Sequence, residues 1–197
     1  MQTLRTSLPT LAATLGAILG ALAIIAAATT TVVQADDDDD DRRWIKPGKD
    51  VAPVTNPVYR DECGACHFAY QPGLLAAADW QRIMTPTALG EHYGDDATLD
   101  DQTRRALARY LNDNAADRAR GYSARGFAGA ASPGDGLPRI TTSRYFVKKH
   151  DEVPDRLVTG NPDVGSFGNC GACHRGADDG VFNEKQVNIP GHGRWDD

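Results

Sequence analysis

Apolar and polar positions divide the chain into stretches of different character. Residues 8–35 carry no charged side chain, and an Ala/Leu/Ile run fills residues 11–28. That run reads as a secretory segment, with Val33 and Ala35 placed as the short residues before a cleavage point. Its length also suits an uncleaved membrane anchor. The pattern then reverses: Asp36 to Asp41 are consecutive aspartates, followed by Arg42 and Arg43. Such a run repels itself and buries nothing, so a solvated, disordered tail is expected. It lacks the glycine and the spaced ligands of a calcium loop. Three prolines and a glycine between residues 47 and 57 predict an extended lead-in.

Helical periodicity starts near Val58. Residues 59–62 predict a short helix, Phe68, Tyr70, Leu74 and Leu75 offer apolar packing, and Pro72-Gly73 marks a turn. Residues 76–84 predict a second helix with Trp80, Ile83 and Met84 on one side, disturbed by Pro86. His92 falls in a loop between Gly90 and Gly94. The strongest pattern covers residues 99 to 116, where Leu99, Leu107, Tyr110, Leu111 and Asn114 form one stripe and Thr98 with Asp101 suggests a capping box. Five glycines and two prolines in residues 121–138 predict an irregular connection. Thr142 then caps a helix in which Phe146 and His150 share a face, and Pro154 ends it. A loop spans residues 160–168, and a polar tail runs from His192 to Asp197. The expected fold is mostly α, with little or no β: two small lobes, 58–120 and 139–197, built from short helices and long irregular connections.

Each lobe contains the same pentapeptide. Cys63-Gly64-Ala65-Cys66-His67 recurs as Cys170-Gly171-Ala172-Cys173-His174. Cys-x-x-Cys-His is the signature of covalent c-type haem attachment: two thiols add to the porphyrin vinyl groups and the adjacent histidine reaches the iron. Four-thiolate zinc sites usually separate their pairs by about 15–20 residues, whereas 103 residues lie between Cys66 and Cys170. Neither zinc, nor two disulfides, nor two redox dithiols requires a histidine after both pairs. All four cysteines of the chain belong to the motifs. The two lobes are therefore expected to be c-type haem lobes, with two covalently bound haem c groups as cofactors.

The 197 residues carry 21 Lys and Arg against 27 Asp and Glu, a net charge of −6. Cleavage after Ala35 would leave 162 residues and, with Arg5 gone, 20 basic against 27 acidic side chains, a net charge of −7. Nucleic acid is thereby an unsuitable partner, and a protein with a positive patch a suitable one. Membrane contact is expected only if the N-terminal segment stays uncleaved. Two irons also need up to four axial ligands. His92, His150 and His192 remain after the motif histidines, and Met84 is the one methionine outside the export segment. At most one iron can then be His/Met, leaving the other bis-histidine or five-coordinate.

The chain resembles the exported dihaem cytochrome c family. The likeness rests on Glu62 to Leu75 around the first motif, Trp80, Met84, His92-Tyr93-Gly94 and Leu99-Asp100. It continues through Tyr110-Leu111, residues 114–117, Arg139-Ile140-Thr141, residues 146–150, and Asn169 to Ala177 around the second motif. The resemblance covers residues 58–191. It implies a mostly helical pair of haem lobes, bis-histidine ligation at both irons, and electron donation to other exported redox proteins, among them an oxygen-binding monohaem cytochrome or a membrane cytochrome. The aspartate run and His192 inherit no role from it.

Chain separation selects among the histidines. His92 follows His67 by 25 residues and His150 precedes His174 by 24, so short loop closure favours His67 with His92 and His174 with His150. His192 has flexible glycine flanks, and Met84 suits a core beside Trp80 and Ile83. The leading reading is a periplasmic, non-enzymatic one-electron carrier with Cys63, Cys66, Cys170 and Cys173 binding the haems. The alternatives are a small dihaem peroxidase or reductase, with Glu91 or Asp151-Glu152 as acid/base groups, and a gas-binding haem protein. Both need an iron with an open position.

Overall fold

A computed structural model describes residues 50–119, 122–129 and 136–195, of Tyr122 the backbone alone. The export segment, the aspartate run and the last two residues lie outside them. Among the described residues helices dominate, and the one sheet has two short strands.

Helix α1, Pro57–Cys63, starts where Asn56 Oδ1 accepts from Tyr59 N at 3.1 Å and Pro57 fixes the first turn. It ends by delivering Cys63, with Gly64 N donating to Arg60 O. A buried 3₁₀ turn, Pro72–Leu74, follows, and Trp80 Nε1 donates to Pro72 O at 2.8 Å. Helix α2, Ala77–Ile83, buries Trp80 and Ile83, and its first amide is held from afar by Asp117 Oδ1 at 2.8 Å. Pro86 does not merely break α2. It opens α3, Pro86–Gly90, behind a Thr85 cap, because proline lacks only an amide that a first turn leaves unused.

Helix α4, Asp101–Asp113, packs against α2 with Leu107 and Leu111 each 1% exposed. Its cap is Asp100, not Thr98: Asp100 Oδ1 accepts from Gln102 N and Thr103 N, while Thr98 N turns to Asp96. Aspartate immediately before the helix reaches these free amides better than threonine two positions earlier.

The stretch expected as an irregular connection contains α5, Tyr122–Ala128. Burial of Ala124 and Phe127 outweighs the glycine content. Gly126 lies in the helix because a methyl group there would enter the Tyr145 ring. Helix α6, Arg144–His150, is capped by Ser143 Oγ, which accepts from Phe146 N, rather than by Thr142, which belongs to the preceding 3₁₀ turn Ile140–Thr142. Helix α7, Cys170–Cys173, is the second motif itself. Strands β1, Asn188–Ile189, and β2, Gly193–Arg194, pair antiparallel, and β2 falls within the stretch expected as a polar tail. Ile189, 1% exposed, anchors them.

The lead-in before α1 is extended yet not solvated. Val51 and Val54 are buried in the main core, and Asp50 N and Val51 N both donate to Gly180 O. The two valines are three residues apart with Ala52 and Thr55 exposed between and beyond them, so the segment turns these side chains onto the core without forming a helix. That core runs from Val51 through α2 and α4 to Ile140 and Phe146. A smaller cluster of Leu157, Val158, Val164 and Ile189 underlies the second motif, with Ala172 and Cys173 against it. No described helix is long and apolar enough to cross a membrane.

Candidate haem centres

Two imidazole pairs stand face to face or edge to face at one common distance. His67, one residue past Cys66, has its ring centre 6.2 Å from that of His92, with the planes 20° apart. His150, the last residue of α6, has its ring centre 6.2 Å from that of His174, with the planes at 77°. Two imidazoles bonded to opposite sides of one metal at about 2 Å each have ring centres about 6 Å apart. Each pair therefore has the ring-centre separation of two imidazoles that share one metal.

Local structure fixes these rings. Helix α6 carries His150 one turn past Phe146, whose ring stacks on the imidazole at 3.9 Å and 11°. His150 Nδ1 lies 2.9 Å from Phe146 O, and His67 Nδ1 lies 2.8 Å from Phe68 O. In the tautomer that donates these bonds, Nε2 keeps its lone pair for a metal. His92 sits in a tight turn, bridged to Asp95 by two backbone bonds and followed by Tyr93 in the left-handed region at φ 56°. The Nδ1 atoms of His92 and His174 are buried without a hydrogen-bond partner. Burial pushes the His174 imidazole down to about 4, with His150 adding to the effect. Burial lowers His150 too, and also His92, where His67 adds. Neutral rings with available lone pairs result.

The thiols stand beside these pairs, all four free. Burial pushes Cys63 up to about 11, with Glu62 adding, and Cys170 also up to about 11. Surroundings that favour a neutral thiol also favour an apolar macrocycle. A cavity of about 320 Å³ is lined by His150, Cys170, Cys173 and His174, with Phe146, Phe167 and Phe182 among its walls. A dihaem cytochrome c family model matches residues 59–182, more than half of the chain and including both pentapeptides.

The chain belongs to the dihaem cytochrome c family. Among solved structures, a diheme cytochrome c from Shewanella baltica is 42% identical over 72% of this chain and 98% of its own, with a TM-score of 0.58. A diheme cytochrome c from Rhodobacter sphaeroides is 40% identical over 67% of this chain and 100% of its own, at 0.56. No curated protein matches. As a dihaem cytochrome c, the protein carries two covalently bound c-type haems. The residues present fit that group: two thiols and a facing pair of imidazoles occur twice, and the second centre adds a cavity walled by Phe146, Phe167 and Phe182.

The other candidates lie elsewhere. Met84 is 4% exposed within the main core. His192 is exposed in the turn between β1 and β2, 5.9 Å from Trp195. Phe167 and Phe182, beside this dihaem cytochrome's second centre, carry no sequence signal. Phe182 packs its ring 5.4 Å from His174, and Phe167 meets both Phe146 and His150 edge-on at 6.0 Å. Arg139 sits 4.2 Å over the Tyr93 ring, next to His92. The two pentapeptides are marked by their own spelling, but Phe167 and Phe182, which flank the second one in sequence, follow no period.

Proposed function

We propose that this dihaem cytochrome is an exported, periplasmic one-electron carrier with two bis-histidine haems. Cys63 and Cys66 hold the first haem and Cys170 and Cys173 the second. His67 and His92 ligate the first iron, His174 and His150 the second. When bound, each haem supplies one iron that accepts or releases a single electron. The side chains do the rest. With His67 and His92 holding one iron and His150 and His174 the other, the imidazoles would leave no coordination site free for small molecules. Phe146, Phe167 and Phe182 exclude water and stiffen the second pair, so little rearrangement accompanies a change of charge. Two imidazoles per iron favour a lower potential than His/Met ligation, since thioether ligation raises it. The partners are other redox proteins, an oxygen-binding monohaem cytochrome or a membrane cytochrome among them. The protein performs no bond-making chemistry of its own.

The observation that supports this reading is the 6.2 Å spacing shared by both imidazole pairs. An enzyme or gas-binding protein of this size would need one iron with a free or displaceable ligand. Carbon monoxide added to the reduced holoprotein tests the point. An unchanged Soret spectrum is expected, and a shifted band would overturn bis-histidine ligation. His92→Ala and His150→Ala should each create one carbon-monoxide-reactive haem, while His192→Ala and Met84→Leu should create none.

A further inference from the structure

Tyr70 and Gln71, adjacent residues just past the first motif, reach the two flanks of the second. Tyr70 Oη donates to Gly168 O at 2.8 Å across 98 positions of sequence, and Gln71 Nε2 donates to Ala177 O at 2.5 Å across 106. Neither acceptor is remote from the second centre. Gly168 O also accepts from Cys170 N at 3.0 Å and lies 3.7 Å from Cys170 Sγ. Ala177 N donates to His174 O at 2.9 Å. One contact thus grips the segment that carries a cysteine of the second haem, and the other grips the segment that carries its histidine.

The opposite ends are tied to the first centre. The Tyr70 ring lies 5.1 Å from the His67 ring and meets Phe68 edge-on at 5.5 Å. Tyr70 O accepts from Tyr59 Oη at 2.8 Å, which fastens it to α1, the helix that ends in Cys63. Gln71 is 0% exposed, so water does not compete for its contact.

We propose that Tyr70 and Gln71 are positioning residues that fix the separation and orientation of the two haem centres and so set the rate of electron exchange between them. The inference rests on the carrier reading above. In the exchange one electron crosses, the ferrous centre becoming ferric and the ferric one ferrous, while Tyr70 and Gln71 gain and lose nothing. Tunnelling between fixed centres falls steeply with added distance, and a rigid frame limits rearrangement at the moment of transfer. Two hydrogen bonds on adjacent residues resist both sliding and rotation of one motif against the other, which a single contact would not.

The test uses the holoprotein carrying Tyr70→Phe, which removes one oxygen and keeps the ring, and Gln71→Met, which keeps the length. Asp117→Ala serves as the comparison, because Asp117 makes a long-range contact to Ala77 N that touches neither motif. Four quantities are read: haem content, thermal midpoint, the gap between the two reduction potentials, and the inter-haem exchange rate after rapid reduction of one haem. Hydrogen exchange at the amides of residues 170–174 adds a readout independent of redox chemistry. The expected result is full haem content, a several-fold slower exchange and faster amide exchange in Tyr70→Phe and Gln71→Met. The double variant should lose more than either. Asp117→Ala should lower the midpoint and leave the exchange rate alone. Wild-type exchange in both brace variants, or an equal slowing in Asp117→Ala, overturns the proposal. If the unmodified protein shows no exchange between its haems, the carrier reading falls, and this inference with it.

Discussion

Replacing Gly126 by alanine should destabilise the protein, although the same change in most helices does the reverse. Alanine in a helix interior is favoured over glycine by about 1 kcal/mol. In α5 the added methyl would enter the ring of Tyr145, striking its edge and the carbon that bears the hydroxyl. That ring cannot swing aside freely, because it meets Phe127 edge-on at 4.9 Å and 70°. Overpacking of this kind costs about 1–3 kcal/mol, and loss of the Phe127 contact adds about 0.5–1.5 kcal/mol. Set against the helix gain, the net loss is about 0.5–3.5 kcal/mol, or a midpoint lowered by about 1–14 °C for a domain of this size. Gly129, just past the same helix, has nothing within 4 Å of an added methyl. Gly129→Ala should therefore raise the midpoint slightly, through a less disordered unfolded chain. Thermal unfolding of the two holoprotein variants, together with Gly126→Ala in a Tyr145→Ala background, completes a double-mutant cycle. Tyr145 and His150 both belong to α6, so Gly126→Ala should also admit some carbon monoxide to the second haem. A midpoint for Gly126→Ala at or above wild type would refute the argument, as would a penalty that persists without the Tyr145 ring.

The motif glycines should respond unequally. A methyl group on Gly64 would collide with Arg60 O while one on Gly171 meets nothing within 4 Å, so Gly64→Ala should lower haem incorporation at the first site and Gly171→Ala should not, as read by intact mass after export. For the unaltered protein that mass should equal the processed chain plus two haems, and free thiols at Cys63 and Cys66 would contradict it. Hydrogen bonding from Thr103 holds the Asp100 carboxyl below its ordinary range. Its stabilising contribution should therefore be complete above the unfolded value near ~3.9 and vanish as pH falls through the lower folded value. Asp100→Asn, which keeps an oxygen acceptor, should flatten that acid limb in unfolding curves, and Asp100→Ala should lower stability at neutral pH. Finally, with a net charge of −6, electron transfer to a positively faced partner should slow as salt shortens the screening length below about 10 Å; rates that stay constant would exclude steering.

Features that a few neighbouring residues can specify are legible in the chain. The pentapeptides name their chemistry because thiols and histidine must stand within one turn of each other. The α4 stripe and the face shared by Phe146 and His150 follow from the helical repeat. The caps were legible to within a residue or two, since Asp100 and Ser143 compete with neighbours of nearly equal capping strength.

Tertiary structure decided everything that depends on residues far apart. Glycine content alone marks 121–138 as irregular, yet Gly126 is in a helix because a ring from α6 occupies the space of its missing side chain. Prolines alone mark the lead-in as extended, yet Val51 and Val54 are core because Gly180 O binds the chain there. Loop-closure entropy changes only logarithmically with length, so chain separation can rank His92 and His150 as neighbours of His67 and His174 but cannot set a common 6.2 Å spacing. The bonds from Tyr70 and Gln71 to Gly168 and Ala177 lie beyond any local period. They link segments that only the folded core holds side by side, and with them comes the geometry on which exchange between the haems depends.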